Sequence, residues 1–106
     1  MSADIIFVIR NASLQGQTVR ALRSELRRLV APGRKLVLHM AGVESVDTQG
    51  AGAILEVARK LRKSGGSIRL VGLQSKVVAF FELLRLNRAI EIYGSQSEAM
   101  AMTNAA

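Results

Sequence analysis

Ser45-Val46-Asp47-Thr48-Gln49-Gly50-Ala51-Gly52 joins an extended apolar segment to a helical pattern with no spacer between them. Asp47 is a good helix N-cap. Its carboxylate can accept a bond from an N–H of the first turn, which puts Thr48 at the first helical position. The unpaired N–H groups of a helix start, with the positive end of the helix dipole behind them, favour negative charge, so a phosphate on Thr48 is better tolerated there than at most surface sites. Gly50 and Gly52 strip side-chain bulk from that turn and leave backbone open to whatever docks on it. A strand that feeds a helix this directly is the unit of an alternating α/β chain, and the flanking sequence repeats it on both sides.

Upstream, Ile5-Ile6-Phe7-Val8-Ile9 is a continuous apolar run rich in β-branched residues, which suits a strand covered on both faces, and Arg10-Asn11-Ala12-Ser13 ends it. From Thr18 the period becomes helical, with Val19, Leu22, Leu26, Leu29 and Val30 on one face and arginines on the other, until Pro32-Gly33. Leu36-Val37-Leu38-His39-Met40 reads as the next buried strand, with His39 a hydrogen-bonded core or strand-end residue. Downstream of the junction, Ala51, Ile54, Leu55, Ala58 and Leu61 form a core face. Arg59, Lys60, Arg62 and Lys63 complement the negative helix end, and Gly65-Gly66 supply the cap and turn. Ser67 to Gly72 is a third strand, whose Arg69 indicates one less deeply covered face.

Ser75 is placed to cap a further helix, in which Val77, Val78, Phe80, Phe81, Leu83 and Leu84 make a broad apolar surface, most of it core with room for a partner patch. Ala89 to Tyr93 reads as a short last strand, and Ser95-Gln96-Ser97-Glu98 matches a capping box that opens a terminal helix. The expected fold is α/β and layered, a four- to five-stranded mixed, partly parallel sheet flanked by about four helices with right-handed crossovers. Binding sites in such sheets lie where strand ends meet helix starts, as at Asp47-Thr48.

The 106 residues, 49% of them hydrophobic, are expected to form one domain over 1–106. The chain has no cysteine and a single histidine, which excludes disulfides, thiolate metal sites and multi-histidine sites. The N-terminus lacks the basic start and long apolar region of a secretion signal, so a cytoplasmic location is expected. The longest apolar stretch, Val77 to Leu86, is broken by Glu82 and Arg85 and falls short of the roughly 20 residues that span a bilayer, so no membrane insertion is expected. A net charge of +7 invites a nucleic-acid reading, but the cations are spread over helix faces and there are few aromatic rings for base stacking. No direct nucleic-acid partner is expected.

Thr48, His39 and Asp47 could be imagined as nucleophile, base and orienter, but strand alternation gives no reason for His39 to reach Thr48. Gly50-x-Gly52 resembles the start of a dinucleotide fingerprint, yet Leu55 stands where its third small residue belongs, and the phosphate-loop motif is absent. No catalytic residue, metal or cofactor is therefore expected. Two readings of the junction remain on the residues alone. Either Thr48 is a tolerated first-turn residue beside packing glycines, or it is a switch at which phosphorylation adds roughly −1.5 to −2 charges beside Asp47.

Val46-Asp47-Thr48-Gln49-Gly50, Gly65-Gly66-Ser67-Ile68-Arg69-Leu70-Val71-Gly72, Phe80-Phe81-Glu82-Leu83-Leu84-Arg85-Leu86-Asn87-Arg88 and Ile92-Tyr93-Gly94-Ser95-Gln96-Ser97-Glu98-Ala99 occur in an order that resembles a STAS domain of the bacterial anti-sigma factor antagonist family. The resemblance implies that Thr48, directly after the motif aspartate, is phosphorylated by a serine/threonine switch kinase that is also the anti-sigma factor. It further implies that the unphosphorylated chain binds that kinase and frees its sigma factor, and that phosphorylation blocks binding until a phosphatase reverses it. Asp47, Thr48, Gln49, Gly50, Ala51 and Gly52 would form the partner-binding surface. A threonine at this position also occurs in the small cytoplasmic STAS subunits of lipid-asymmetry ABC transporters, and resemblance to those implies instead a subunit that clamps the transporter's ATPase.

Overall fold

In the computed structural model, which describes residues 4–94, the alternating runs become strands and helices in the expected order. They are β1 (Ile5–Val8), β2 (Ser13–Leu14), α1 (Gln17–Leu29), β3 (Lys35–His39), β4 (Ser45–Val46), α2 (Thr48–Lys63), β5 (Ser67–Val71), α3 (Ser75–Leu83) and β6 (Glu91–Ile92), with a 3-10 turn at Leu86–Arg88. The main sheet has four strands in the order β1-β3-β5-β6. All its pairings are parallel, so the described strands form a parallel sheet rather than the mixed one expected. The reason is local. A helix follows β1, β3 and β5 and carries the chain back, so no hairpin reverses direction. The expected terminal helix after Ser95 lies outside the described residues.

Residues paired across a parallel sheet share a face. The row Phe7-Leu38-Leu70-Ile92, with Ile5-Leu36-Ile68 beside it, forms the core face. Leu22 and Leu26 of α1 and Ile54, Val57 and Leu61 of α2 bury into the same core. The opposite row, Ile6-Val37-Arg69-Glu91, is different: Arg69 Nε meets Glu91 Oε2 at 2.8 Å, and Ile6 is 71% exposed. This corrects the expectation that β1 is covered on both faces. Edge position and alternation leave Ile6 and Val8 outside, whereas Arg69 marks the less covered face as its sequence context indicates.

The end of α2 follows from its residues. Gly65, at φ +83°, takes the left-handed position, and the Gly65 and Gly66 N–H groups donate to the Arg62 and Leu61 carbonyls at 3.1 and 2.7 Å. That pair of bonds closes the helix and releases β5. The start of α3 departs from expectation, because Ser75 is its first residue and not its cap. The preceding Gln74 donates from its side-chain amide to the Ala41 carbonyl at 3.1 Å, tying α3 to the loop after β3. Within α3, Val77 and Phe81 are buried, while Leu83 is 78% exposed and Leu84, just past its end, is also exposed. No described helix is long and apolar enough to cross a membrane.

Candidate functional site

Strand β2 falls where the sequence reads only as a loop. Its two residues pair in parallel with β4, Ser13 opposite Ser45 and Leu14 opposite Val46. Hydrogen bonds extend the ladder on both sides: the Glu44 N–H donates to the Ala12 carbonyl at 2.7 Å and the Asp47 N–H to the Leu14 carbonyl at 3.3 Å. The Ser45 hydroxyl donates to Ser13 Oγ at 3.2 Å and accepts from Gln15 Nε2 at 3.3 Å. Because the two strands run in register and in parallel, the helices that follow them, α1 and α2, begin side by side. The candidate site is this paired helix start.

On the α2 side, Asp47 has extended backbone angles and its Oδ1 accepts the Gly50 N–H at 2.8 Å, while its carbonyl accepts the Ala51 N–H at 3.0 Å. That is an N-cap in the expected place, worth about 1 kcal/mol to the helix. Thr48 follows as the first helical residue and is exposed, as are Gln49 and Gly52, while Asp47 is half-buried. Gly50 and Ala51 are both buried. The sequence reading of Gly50 as open backbone is therefore corrected. A Cβ at Gly50 would lie 2.6 Å from the Leu14 carbonyl oxygen and 3.1 Å from both Leu14 Cβ and Val46 Cγ1. Gly50 is the point at which α2 rests on the β2–β4 ladder, and Gly52 alone of the two glycines opens the surface.

This gives an expected result. Gly50→Ala gains helix propensity of about 1 kcal/mol but drives a methyl group into backbone that cannot rotate away, a cost of roughly 1–3 kcal/mol. Urea unfolding should show net destabilisation, whereas Gly52→Ala, with nothing within 4 Å of its added Cβ, should stabilise. Equal effects at the two positions would contradict this seating of α2 on the β2–β4 ladder.

On the α1 side, Gly16 precedes the helix at φ +56°, ψ −125°, a conformation open to glycine. The Thr18 hydroxyl accepts the Gln15 N–H at 3.0 Å and lies 2.8 and 2.7 Å from the Ser13 and Gln15 carbonyls, which holds the turn. A groove of about 340 Å³ runs between the two helix starts, lined by Gly16, Val19, Arg20, Arg23 and Gln49. Further along, Glu56 of α2 binds α1: its Oε2 accepts from Arg27 Nε at 2.9 Å, its Oε1 is 3.4 Å from Arg23 Nε, and Lys60 Nζ is 3.3 Å away. The Arg27 hydrogen bond holds the Glu56 carboxyl below its usual pKa, against partial desolvation, with Lys60 contributing.

His39 ends β3, paired with Val8 and Val71 in the main sheet and with its ring beside Gly72. It is a strand-end residue of that sheet, whereas Asp47 and Thr48 follow the small ladder. Arg20 and Arg23 line the candidate site with no sequence signal that places them there. Their spacing on α1 marks them only as polar-face cations, and what brings them to Gln49 is the unread pairing of β2 with β4.

The family model of the STAS domain matches residues 3–99. The chain belongs to the STAS domain family. A Thermotoga maritima protein assigned as an anti-sigma factor antagonist is 36% identical over 66 residues, 62% of this STAS chain and 58% of its own length. The STAS chain thus spans less than two thirds of that relative. The crystal structure of a Thermotoga maritima protein with the same assignment superposes at a TM-score of 0.74 over 92% of this chain and 86% of that one, at 23% identity. A sulfate transporter family protein from Wolinella succinogenes superposes at 0.76 over 96% and 85%, at 16% identity. At these identities the two structures speak to the STAS fold alone, and they share it with the parallel sheet and paired helices described above.

Proposed function

We propose that this STAS domain is an anti-sigma factor antagonist switched at Thr48. The unmodified domain binds an anti-sigma factor that is also a serine/threonine kinase. Phosphorylation of Thr48 blocks that binding, and a phosphatase restores it. The observation that carries this reading is the exposed Thr48 on the first turn of α2, directly after the Asp47 cap and in the place where the family resemblance puts the modified hydroxyl. The likeness to the Thermotoga maritima antagonist supports the choice of partner.

The site suits binding rather than catalysis. Asp47 Oδ1 is engaged as a cap, and the rigid cap and ladder hold the Thr48 side chain outward on a surface completed by Gln49 and Gly52. Phosphorylation changes that surface without remodelling it, because the helix start tolerates negative charge while a partner packed against it does not. The domain acts in the cytoplasm, where the kinase has ATP. The test is which protein the immobilised domain retains from an extract of its own cell. The expected result is a kinase-type anti-sigma factor, released when Thr48 is phosphorylated. Retention of an ABC transporter's ATPase in its place would overturn the proposal.

A further inference from the structure

The groove between the starts of α1 and α2 carries more positive charge than its surroundings neutralise. Arg20 is exposed and has no hydrogen-bonding or ion-pair partner among the described residues. Arg23 Nε lies 3.4 Å from Glu56 Oε1, yet this buried Nε makes no hydrogen bond, while Arg27 makes the directed bond to Oε2 of the same carboxylate. Glu56 is one carboxylate shared by Arg23, Arg27 and Lys60, so with Arg20 the cluster holds three positive charges in excess. No carboxylate lines the groove, and its far wall is Gln49, the residue after Thr48.

From this arrangement we infer that the groove is an acid-recognition subsite: it receives a carboxylate side chain of the protein docked on the start of α2. This deepens the proposed function and rests on its assignment of that helix start as the docking surface. The chemistry is specific to the place. The Arg20 and Arg23 guanidiniums can offer N–H donors to one carboxylate, Gln49 can add an amide donor, and Val19 at the base limits competing water. Outside this cluster, Arg28, Arg59 and Lys63 stand exposed on their helices, where a carboxylate gains little over solvent, and Arg62 is already engaged with the Ala89 carbonyl. The groove also gives the partner orientation, since a charged anchor beside Gln49 fixes which of its surfaces meets Thr48.

The experiment is an amide chemical-shift titration of the intact chain with a capped peptide of alternating aspartate and glutamate, and separately with its asparagine–glutamine counterpart. The acidic peptide should produce saturating shifts centred on Gly16, Arg20, Arg23 and Gln49, and the amide peptide should produce none. Arg20→Gln should weaken the acidic peptide at least about 5-fold, whereas Arg28→Gln, which removes the same charge from α1 outside the groove, should leave affinity within about 2-fold. Shifts spread evenly over Arg59, Arg62 and Lys63, or equal losses in the two variants, would overturn the inference, as would tighter binding of a short single-stranded DNA in the groove. The titration uses neither kinase nor phosphate. A silent groove together with intact switching at Thr48 would remove the subsite alone, while a responsive groove with no switching would remove the proposed function alone.

Discussion

Thr48→Glu is expected to weaken binding to the cognate kinase at least about 100-fold, equivalent to about 2.7 kcal/mol, while the melting temperature stays the same or rises slightly. The two halves of this result have separate causes. Thr48 is exposed, and no described residue receives a hydrogen bond from its hydroxyl, so the substitution breaks nothing in the fold. A carboxylate at the first helical position meets the positive end of the α2 dipole, worth about 0.3–1 kcal/mol in favour of the folded chain. On the proposed docking surface the same carboxylate would stand beside Asp47 against a closely packed partner that supplies no counter-charge for it. A buried, unpaired charge at an interface costs about 2–5 kcal/mol. Calorimetric titration and thermal unfolding of the same preparation measure both halves. Loss of binding with a matching loss of stability would mean that Thr48 supports the fold and is not a switch.

Phe81→Ala is expected to cost about 4 kcal/mol, a large share of the roughly 5–15 kcal/mol that keeps a domain of this size folded. Phe81 is fully buried, one turn from the buried Val77, and its ring meets Phe80 edge-on with centroids 6.3 Å apart. These side chains anchor α3, which is short, lacks a side-chain cap, and ends in exposed Leu83 and Leu84. Little else compensates when the ring is removed. The midpoint of urea unfolding should fall by about 2 M with an unchanged slope. Leu83→Ala, on the exposed side of the same helix, should change it by less than about 0.3 M. A small effect of Phe81→Ala would place the anchor of α3 elsewhere.

The junction at Asp47-Thr48 was legible in the sequence because every determinant is local: an N-cap, a first-turn threonine, and an apolar period that begins at Ala51. The end of α2 was legible for the same reason, since Gly65-Gly66 and the preceding cations act within one turn. What was not legible depends on partners far away in the chain. Two residues, Ser13 and Leu14, carry no period, so β2 is invisible until Ser45 and Val46 pair with it. That pairing decides that Gly50 is a contact point and not an opening, and it brings Arg20 and Arg23 to Gln49. The exposure of Ile6 and Val8 likewise follows from the place of β1 at the sheet edge, which its own apolar run conceals.

Whether Thr48 carries the phosphate is read by weighing the intact chain after incubation with ATP and the kinase it retains. One phosphate should be added, carried by the peptide that contains Thr48, absent from Thr48→Ala, and removed by a phosphatase with recovery of binding. A chain that binds the kinase and stays unmodified, or one that takes the phosphate on another residue, would overturn the assignment of Thr48 as the switch.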